Sequence, residues 1–211
     1  MIDMSEIVCN DVLWQMSVAE KAAILYLISK MPKRSVAIEI GSYCGGFTRV
    51  LSKNFDKVYS LDIDHSNIVS REQFQNVKWV EGDSKKTLPG LIKHINKSKE
   101  DVNLILIDAD HSFDAVYKDI KNVLHYVPKS DTVLLLHDSW YAPSRDAISL
   151  SHWNSSPYVH YIEKDFVCGD VIRNMFMGGL ALVIMSSVER KGAVEIKQTH
   201  DYMYTLCSNF L

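Results

Sequence analysis

Val36-Ala-Ile-Glu-Ile-Gly-Ser-Tyr-Cys-Gly-Gly-Phe-Thr48 is an apolar run that stops at a glycine-rich turn and is followed at once by helix-forming sequence. It reads as a strand, a tight loop and a helix start. Gly41, Gly45 and Gly46 carry no Cβ, so this loop can bring backbone N–H groups at a helix N-terminus close to a ligand. A second strand, Lys57-Val-Tyr-Ser-Leu-Asp-Ile-Asp64, ends in acids about 20 residues beyond the loop, the spacing at which dinucleotide-type folds set a carboxylate on a ribose. The pattern points to a nucleoside ligand. It does not match G-x-G-x-x-G, because Tyr43 takes the second glycine position, where a pyrophosphate needs bare backbone. A nucleoside without a pyrophosphate fits better.

Outward from this stretch, strands and helices alternate, which predicts an α/β fold: a mostly parallel sheet with helices on both faces. Strands are expected near 35–40, 57–62, 77–81, 103–108 and 132–137, and helices near 45–54, 65–73, 85–97 and 112–126. The run 102–108 is almost unbroken aliphatic sequence, as in a central strand buried on both faces. Upstream, Ser17-Val-Ala-Glu20 is a capping box that opens a helix running to about Met31, closed by Pro32. Ala23, Leu27 and Met31 form its expected apolar stripe, and Trp14 and Met16 are expected against the body or the ligand entrance. Beyond Trp140 the alternation breaks down. The stretch 141–178 is a candidate substrate lid, and 179–185 with 193–197 reads as an antiparallel strand pair.

Open parallel sheets bind ligands beyond the carboxyl ends of their strands. Glu39, Asp62, Asp83, Asp108 and Asp138 fall at five successive strand ends. Asp62 is assigned to ribose hydroxyls, and Asp64 to the cap of a helix beginning at His65. Ile107-Asp-Ala-Asp-His-Ser112 and Leu136-His-Asp-Ser-Trp140 carry the strongest chemical signal. Ends of neighbouring strands lie about 4.8 Å apart, so Asp108 and Asp138 can reach one divalent ion. His111, with an ordinary pKa near 6.5, can take a hydroxyl proton. Asp110 either orients His111 or caps the following helix.

Glu39-Ile-Gly-Ser-Tyr-Cys-Gly-Gly-Phe-Thr48 resembles motif I of class I S-adenosylmethionine-dependent methyltransferases. It is most similar to the metal-dependent O-methyltransferases of the catechol and caffeoyl-CoA kind, whose loop reads Glu-x-Gly-x-Tyr-Cys-Gly-Tyr-Ser. Later motifs resemble macrocin-type sugar O-methyltransferases, and the likeness runs from about Ser17 to Trp140. The resemblance implies a Rossmann-like, seven-stranded sheet with one antiparallel strand. It implies S-adenosyl-L-methionine as cofactor, held by Glu39, Gly41, Ser42, Tyr43, Gly45, Asp62, Asp83, Ser84 and Asp108. Glu81-Gly-Asp-Ser84 resembles the family's adenine-binding turn, with Asp83 accepting from the exocyclic amine and Ser84 bonding a ring nitrogen. Asp108 and Asp138 fall where the catechol type keeps two metal aspartates. Ser139 replaces that type's metal-binding asparagine, while the macrocin type takes its third ligand from the position of His137. The implied ion is Mg²⁺ or Mn²⁺. His111 stands where one type has a catalytic lysine and the other a histidine base, which implies O-methylation of a hydroxylated small molecule.

Composition sets outer bounds on these expectations. The chain has 211 residues, 47% hydrophobic and 23% charged, so a single globular domain over 1–211 is expected. A net charge of −3 without basic runs argues against nucleic acid as the partner. Cys9, Cys44, Cys168 and Cys207 show no C-x-x-C pair and read as small buried hydrophobes of a reducing, cytoplasmic compartment. Acids interrupt the apolar N-terminus, so neither a signal peptide nor a membrane partner is expected. A homodimer is the candidate assembly. Three other readings stay open at this level: a nicotinamide-dependent oxidoreductase, a metal-independent N- or C-methyltransferase, and a non-catalytic S-adenosylmethionine-binding protein.

Overall fold

The computed structural model describes residues 4–7 and 12–208, so Cys9 lies outside the described residues. A 3-10 turn at Met4–Ile7 precedes the first helix, α1, Val18–Lys30. Its capping box forms as expected: the Ser17 hydroxyl oxygen accepts from the Glu20 N–H at 3.3 Å, and Glu20 Oε2 accepts from the Ser17 N–H at 2.6 Å. Of the expected stripe, Leu27 and Met31 pack partly buried against the core, while the fully buried residues are Glu20, Ile24, Leu25 and Ile28. The larger side chains enter the core, and the i, i+4, i+8 spacing carries Glu20 inward with Ile24 and Ile28.

The alternating part follows as β1 Val36–Ile40, α2 Gly46–Asn54, β2 Lys57–Asp62, β3 Val77–Glu81, α3 Ser84–Ser98, β4 Val102–Ile107, α4 Phe113–Val123 and β5 Thr132–His137. After these come α5 Ala142–Leu150, β6 Val159–Val167, β7 Asp170–Ile172, β8 Met175–Met177, β9 Leu180–Met185, β10 Ile196–Lys197 and α6 Asp201–Ser208. The main sheet has the order β10-β6-β9-β5-β4-β1-β2-β3, and β7 pairs with β8 as a separate hairpin. Only β9 runs against the other strands of the main sheet, antiparallel to both β5 and β6. Side chains alternate between two cores. Ile38, Ile105, Ile107 and Leu134 meet α3 and α4 residues such as Ile92, Ile95 and Ile120, while Ala37, Leu104, Leu106 and Leu135 meet Ile24, Ile28, Val50 and Leu51 from α1 and α2. No helix among the described residues is long and apolar enough to cross a membrane.

Several of these expectations need correction. The main sheet has eight strands and not seven, because Ile196–Lys197 adds a short parallel edge to β6. For the same reason 179–185 and 193–197 are not paired with each other. The run Leu-Ala-Leu-Val-Ile-Met needs neighbours on both sides, and β9 finds them in β5 and β6. The stretch 141–178 supplies α5 and β6 to the framework, while its β7–β8 hairpin stays outside the main sheet. Finally, 65–73 forms no α-helix, only a 3-10 turn at Arg71–Gln73. There Asp64 closes a local turn, its Oδ1 accepting from the Ser66 N–H and its Oδ2 from the Ser66 hydroxyl, both at 2.7 Å. Such side-chain bonds compete with helix formation. Cys44 and Cys207 are half-buried and Cys168 exposed, so none of the three described cysteines is a core residue, and none forms a disulfide.

Candidate functional site

The reversal of strand order lies between β4 and β2, with β1 paired to both. The loop after β1 is pressed against the end of β4: a Cβ on Gly41, where φ is +94°, would sit 2.0 Å from the Asp108 carbonyl oxygen. Only glycine fits that approach. Tyr43 also takes a positive φ, 48°, and Gly45 opens α2 at φ +81°. Asp62 ties this loop down. Its Oδ2 accepts from the Ser42 N–H at 2.7 Å, the Ser42 hydroxyl at 3.0 Å and the Tyr43 N–H at 3.0 Å, while Oδ1 accepts from the Asp64 N–H at 3.2 Å. Burial raises the Asp62 pKa, but these bonds outweigh it and hold the carboxyl below its ordinary value.

Glu39 behaves oppositely. It is buried, and its Oε2 accepts from the Thr48 hydroxyl at 2.5 Å and the Ser60 hydroxyl at 2.8 Å. Burial nevertheless pushes its pKa up to about 8, so it is a neutral acid near pH 7. Beyond β3, Asp83 is the cap of α3 through the Lys85 N–H at 2.9 Å. The Ser84 hydroxyl donates to Asp119 Oδ2 at 3.0 Å, which differs from the expected bond to a base nitrogen.

Two cavities meet over this loop. One of about 650 Å³ is lined by Asp62, Ile63, Gly82, Asp83 and Ser84, and one of about 770 Å³ by Trp14, Glu20, Glu39, Ser42, His111 and Asp138, among others. Gly41, Tyr43, Asp108 and Ala109 border both, so the two form one cleft across the strand ends. All the expected cofactor residues except Gly45 line it; the Gly45 Cα faces Ile68 instead.

In the larger cavity, with Asp108 at the border to the smaller one, one ligand atom each from Asp108, His111, His137 and Asp138 lie within 4.8 Å of one another. His137 Nδ1 is 2.8 Å from Asp108 Oδ1 and 3.2 Å from Asp138 Oδ2, and its Nε2 is 3.3 Å from Glu20 Oε1. His111 Nε2 is 3.4 Å from Asp108 Oδ1 and 3.3 Å from Asp138 Oδ2. Both buried ring nitrogens of His137 lack a hydrogen-bond partner, because their N–H directions miss these oxygens. A buried imidazole with unfilled nitrogens beside two carboxylates is a donor set that suits a divalent ion. Ser139 lies outside it, with its buried hydroxyl against the Gly179 backbone.

The backbone holds the cluster rigidly. Asp138 takes a positive φ of 54°, and its Oδ1 accepts from the Gly178 N–H at 2.5 Å. Burial raises the Asp138 pKa, yet His137, His111 and the Gly178 N–H bring it down to about 2. Burial opposes charge on His137, but Asp108, Asp138 and Glu20 together raise its pKa well above the ordinary value. Contact with Asp108 raises His111 against its own burial.

Several site residues were not legible beforehand. Glu20 was read only as a capping residue, yet Oε1 accepts from the Gly179 N–H at 2.5 Å while facing His137. Trp14, by contrast, was expected against the body or the ligand entrance, and it stacks on Phe47 at 5.3 Å and lines the larger cavity; from the candidate lid 141–178, Asp170, Ile172 and Met177 of the β7–β8 hairpin line it too. Asp119 did leave a signal: a charge at the spacing of Val116, Ile120 and Val123 belongs to the buried face of α4. Asp110 caps the turn into α4 by accepting from the Ser112 N–H at 2.9 Å.

Residues 38–139 match the family model described as "Methyltransferase domain". No curated protein matches the chain. Among solved structures, the N-methyltransferase NodS from Bradyrhizobium japonicum, in complex with S-adenosyl-l-homocysteine, is 15% identical with a TM-score of 0.57, over 86% of this chain and 96% of that one. SMU.1697c from Streptococcus mutans, also in complex with S-adenosylhomocysteine, is 15% identical with a TM-score of 0.56, over 79% of this chain and 97% of the other. Precorrin 8W decarboxylase from Methanobacterium thermoautotrophicum is 17% identical with a TM-score of 0.53, over 88% of this chain and 100% of that one. These likenesses establish the methyltransferase-type Rossmann fold.

Proposed function

We propose that the chain, whose residues 38–139 carry a methyltransferase domain, is an S-adenosylmethionine-dependent methyltransferase acting on a hydroxyl oxygen of a small molecule beside a divalent cation. The observation that carries this reading is the cluster of Asp108, His111, His137 and Asp138 in the larger cavity, reaching the smaller one through Asp108. The smaller cavity suits the nucleoside of the cofactor, with Asp62 near the ribose and Asp83 and Ser84 near the base. The larger one takes the amino-acid end and the acceptor. S-adenosylmethionine supplies an activated methyl group on a sulfonium.

Asp108, Asp138 and His137 are the groups that would hold the cation. When bound, the cation supplies positive charge that offsets these carboxylates and lowers the pKa of an adjacent hydroxyl. His111 Nε2 faces the same point and accepts the hydroxyl proton. With S-adenosylmethionine bound, the bond from sulfur to the methyl carbon would be exchanged for one from the acceptor oxygen, leaving a neutral thioether. The strand ends would position acceptor and cofactor against each other, and such positioning is where most of the rate would arise. Two carboxylates alone suit Mg²⁺, and an imidazole nitrogen beside them shifts preference toward Mn²⁺.

A second reading is favoured by the Glu20–His137 contact of 3.3 Å. A protonated His137 bridging Glu20, Asp108 and Asp138 would close the network without a cation, as in a metal-independent methyltransferase. Transfer of labelled methyl from S-adenosylmethionine to a panel of phenols, sugars and polyols separates the two. The metal reading predicts loss of transfer after chelation and recovery with Mn²⁺ or Mg²⁺; transfer indifferent to the chelator selects the other.

A further inference from the structure

Asp119 is the one buried acid of α4 that the proposed chemistry does not use. It is only 1% exposed, its Oδ1 has no hydrogen-bond partner, and its Oδ2 lies 3.0 Å from the Ser84 hydroxyl oxygen. Burying a carboxyl with one oxygen unsatisfied is unfavourable, and an alanine or leucine would pack this face without that penalty. The side chain reaches the ligand cleft only through Ser84, which lines the smaller cavity beside Gly82 and Asp83.

We infer that Asp119 is a positioning residue that takes the hydroxyl hydrogen of Ser84, so that Ser84 meets the ligand's base as an acceptor and selects a 6-amino over a 6-oxo purine. An ionised carboxylate has no hydrogen to give, so the shared hydrogen must come from Ser84. Burial raises the Asp119 pKa to about 6, with Lys85 opposing and Asp83 and Asp110 reinforcing the shift, so the group is ionised at pH 8. Ser84 is then left with lone pairs alone. Every ring nitrogen that an adenine offers at its edges is itself an acceptor, and its only donor there is the exocyclic amine. Asp83 adds a second acceptor next door, since the Lys85 N–H engages its Oδ1 and the cap does not use Oδ2. One amine carries two hydrogens, which matches two acceptors. A 6-oxo base would set a carbonyl oxygen in the amine's place and keep only its N1–H as a donor on that edge, so one of the two acceptors would meet no hydrogen.

The inference rests on the cofactor reading above, and calorimetry can separate the two. At pH 8 the protein is titrated with S-adenosyl-L-homocysteine and with its deaminated counterpart, S-inosyl-L-homocysteine. The wild type should favour the amino form at least about tenfold, the worth of one hydrogen bond between well-placed groups. In Asp119→Asn the carboxamide can donate to Ser84 and turn its hydroxyl hydrogen toward the base, so the preference should fall to about threefold or less. Ser84→Ala should lower it similarly, and adding Asp119→Asn to Ser84→Ala should change it no further, because the acid acts through the hydroxyl. Normal S-adenosylhomocysteine binding with an undiminished preference in Asp119→Asn overturns the inference alone. Failure of the wild type to bind S-adenosylhomocysteine overturns it together with the cofactor reading.

Discussion

His111 is where geometry and chemistry are most closely joined. Its Nε2 stands 3.4 Å from Asp108 and 3.3 Å from Asp138, and the side chain is 38% exposed, so it is reachable from the cavity. As the proton acceptor it should be dispensable for cofactor binding but not for turnover. His111→Ala is expected to bind S-adenosylhomocysteine as the wild type does and to lose about 10²- to 10⁴-fold in kcat, the usual share of acid–base catalysis. A kcat within a few-fold of wild type would reduce His111 to a packing neighbour of the two acids. The acids themselves were readable from the sequence, because each closes an aliphatic strand that could only be central. Glu20 was not. Its capping role explained it fully in one dimension, and only the fold carries the N-terminus of α1 to within 3.3 Å of His137 and the Gly179 backbone.

At the scale of elements, the strand–loop–helix unit around Gly41 decides the cleft. The loop turns on a left-handed Gly41 and is held from β2 by three hydrogen bonds to one oxygen of Asp62. Because a Cβ at Gly41 would overlap the Asp108 carbonyl oxygen at 2.0 Å, Gly41→Val must part β1 from β4 at the point where both cavities meet. Calorimetry should find S-adenosylhomocysteine binding weakened beyond detection, and thermal melting should show a loss on the order of 10 °C, as for a strained core substitution of 2 kcal/mol or more. Unaltered binding would contradict the placement of the cofactor across this loop. The first five strands were legible within about a residue because aliphatic strands alternate there with capped helices. In the C-terminal third β9 and the place of β10 were legible as well, but β6 was not. β6, Val159–Val167, contains Glu163, Lys164 and Asp165, which look like loop residues; they are buried because Arg145 meets Asp165 at 2.6 Å and the Lys164 Nζ donates to Gln198 at 2.7 Å. Pairing by distant partners leaves no local periodicity to read.

For the whole molecule, the neutral acid at the sheet centre sets a dependence of stability on pH. Glu39 has a folded pKa of about 8 against an ordinary 4.5, so the folded chain keeps a proton that the unfolded chain releases. Its contribution is full below about pH 4.5 and is lost as pH rises through about 8. Glu39→Gln keeps acceptors for Thr48 and Ser60 but cannot ionise. Relative to wild type, its Tm should therefore improve steadily from pH 5 to pH 8. Parallel curves would show that Glu39 is already ionised in the fold. Beside that neutral acid, Asp108 and Asp138 close β4 and β5, each within 3.4 Å of His111 and His137.

The claim on which the functional reading turns is that these two carboxylates and His137 hold a divalent cation next to the cofactor. Its most direct test is a crystal grown with Mn²⁺ and S-adenosylhomocysteine, with data collected to locate manganese by its anomalous scattering. The account predicts one peak about 2.0–2.3 Å from oxygens of Asp108 and Asp138 and from a nitrogen of His137, with the homocysteine end of the ligand alongside. Cofactor density in the cleft with no anomalous peak there, and His137 still bridging Glu20 and Asp108, would contradict it.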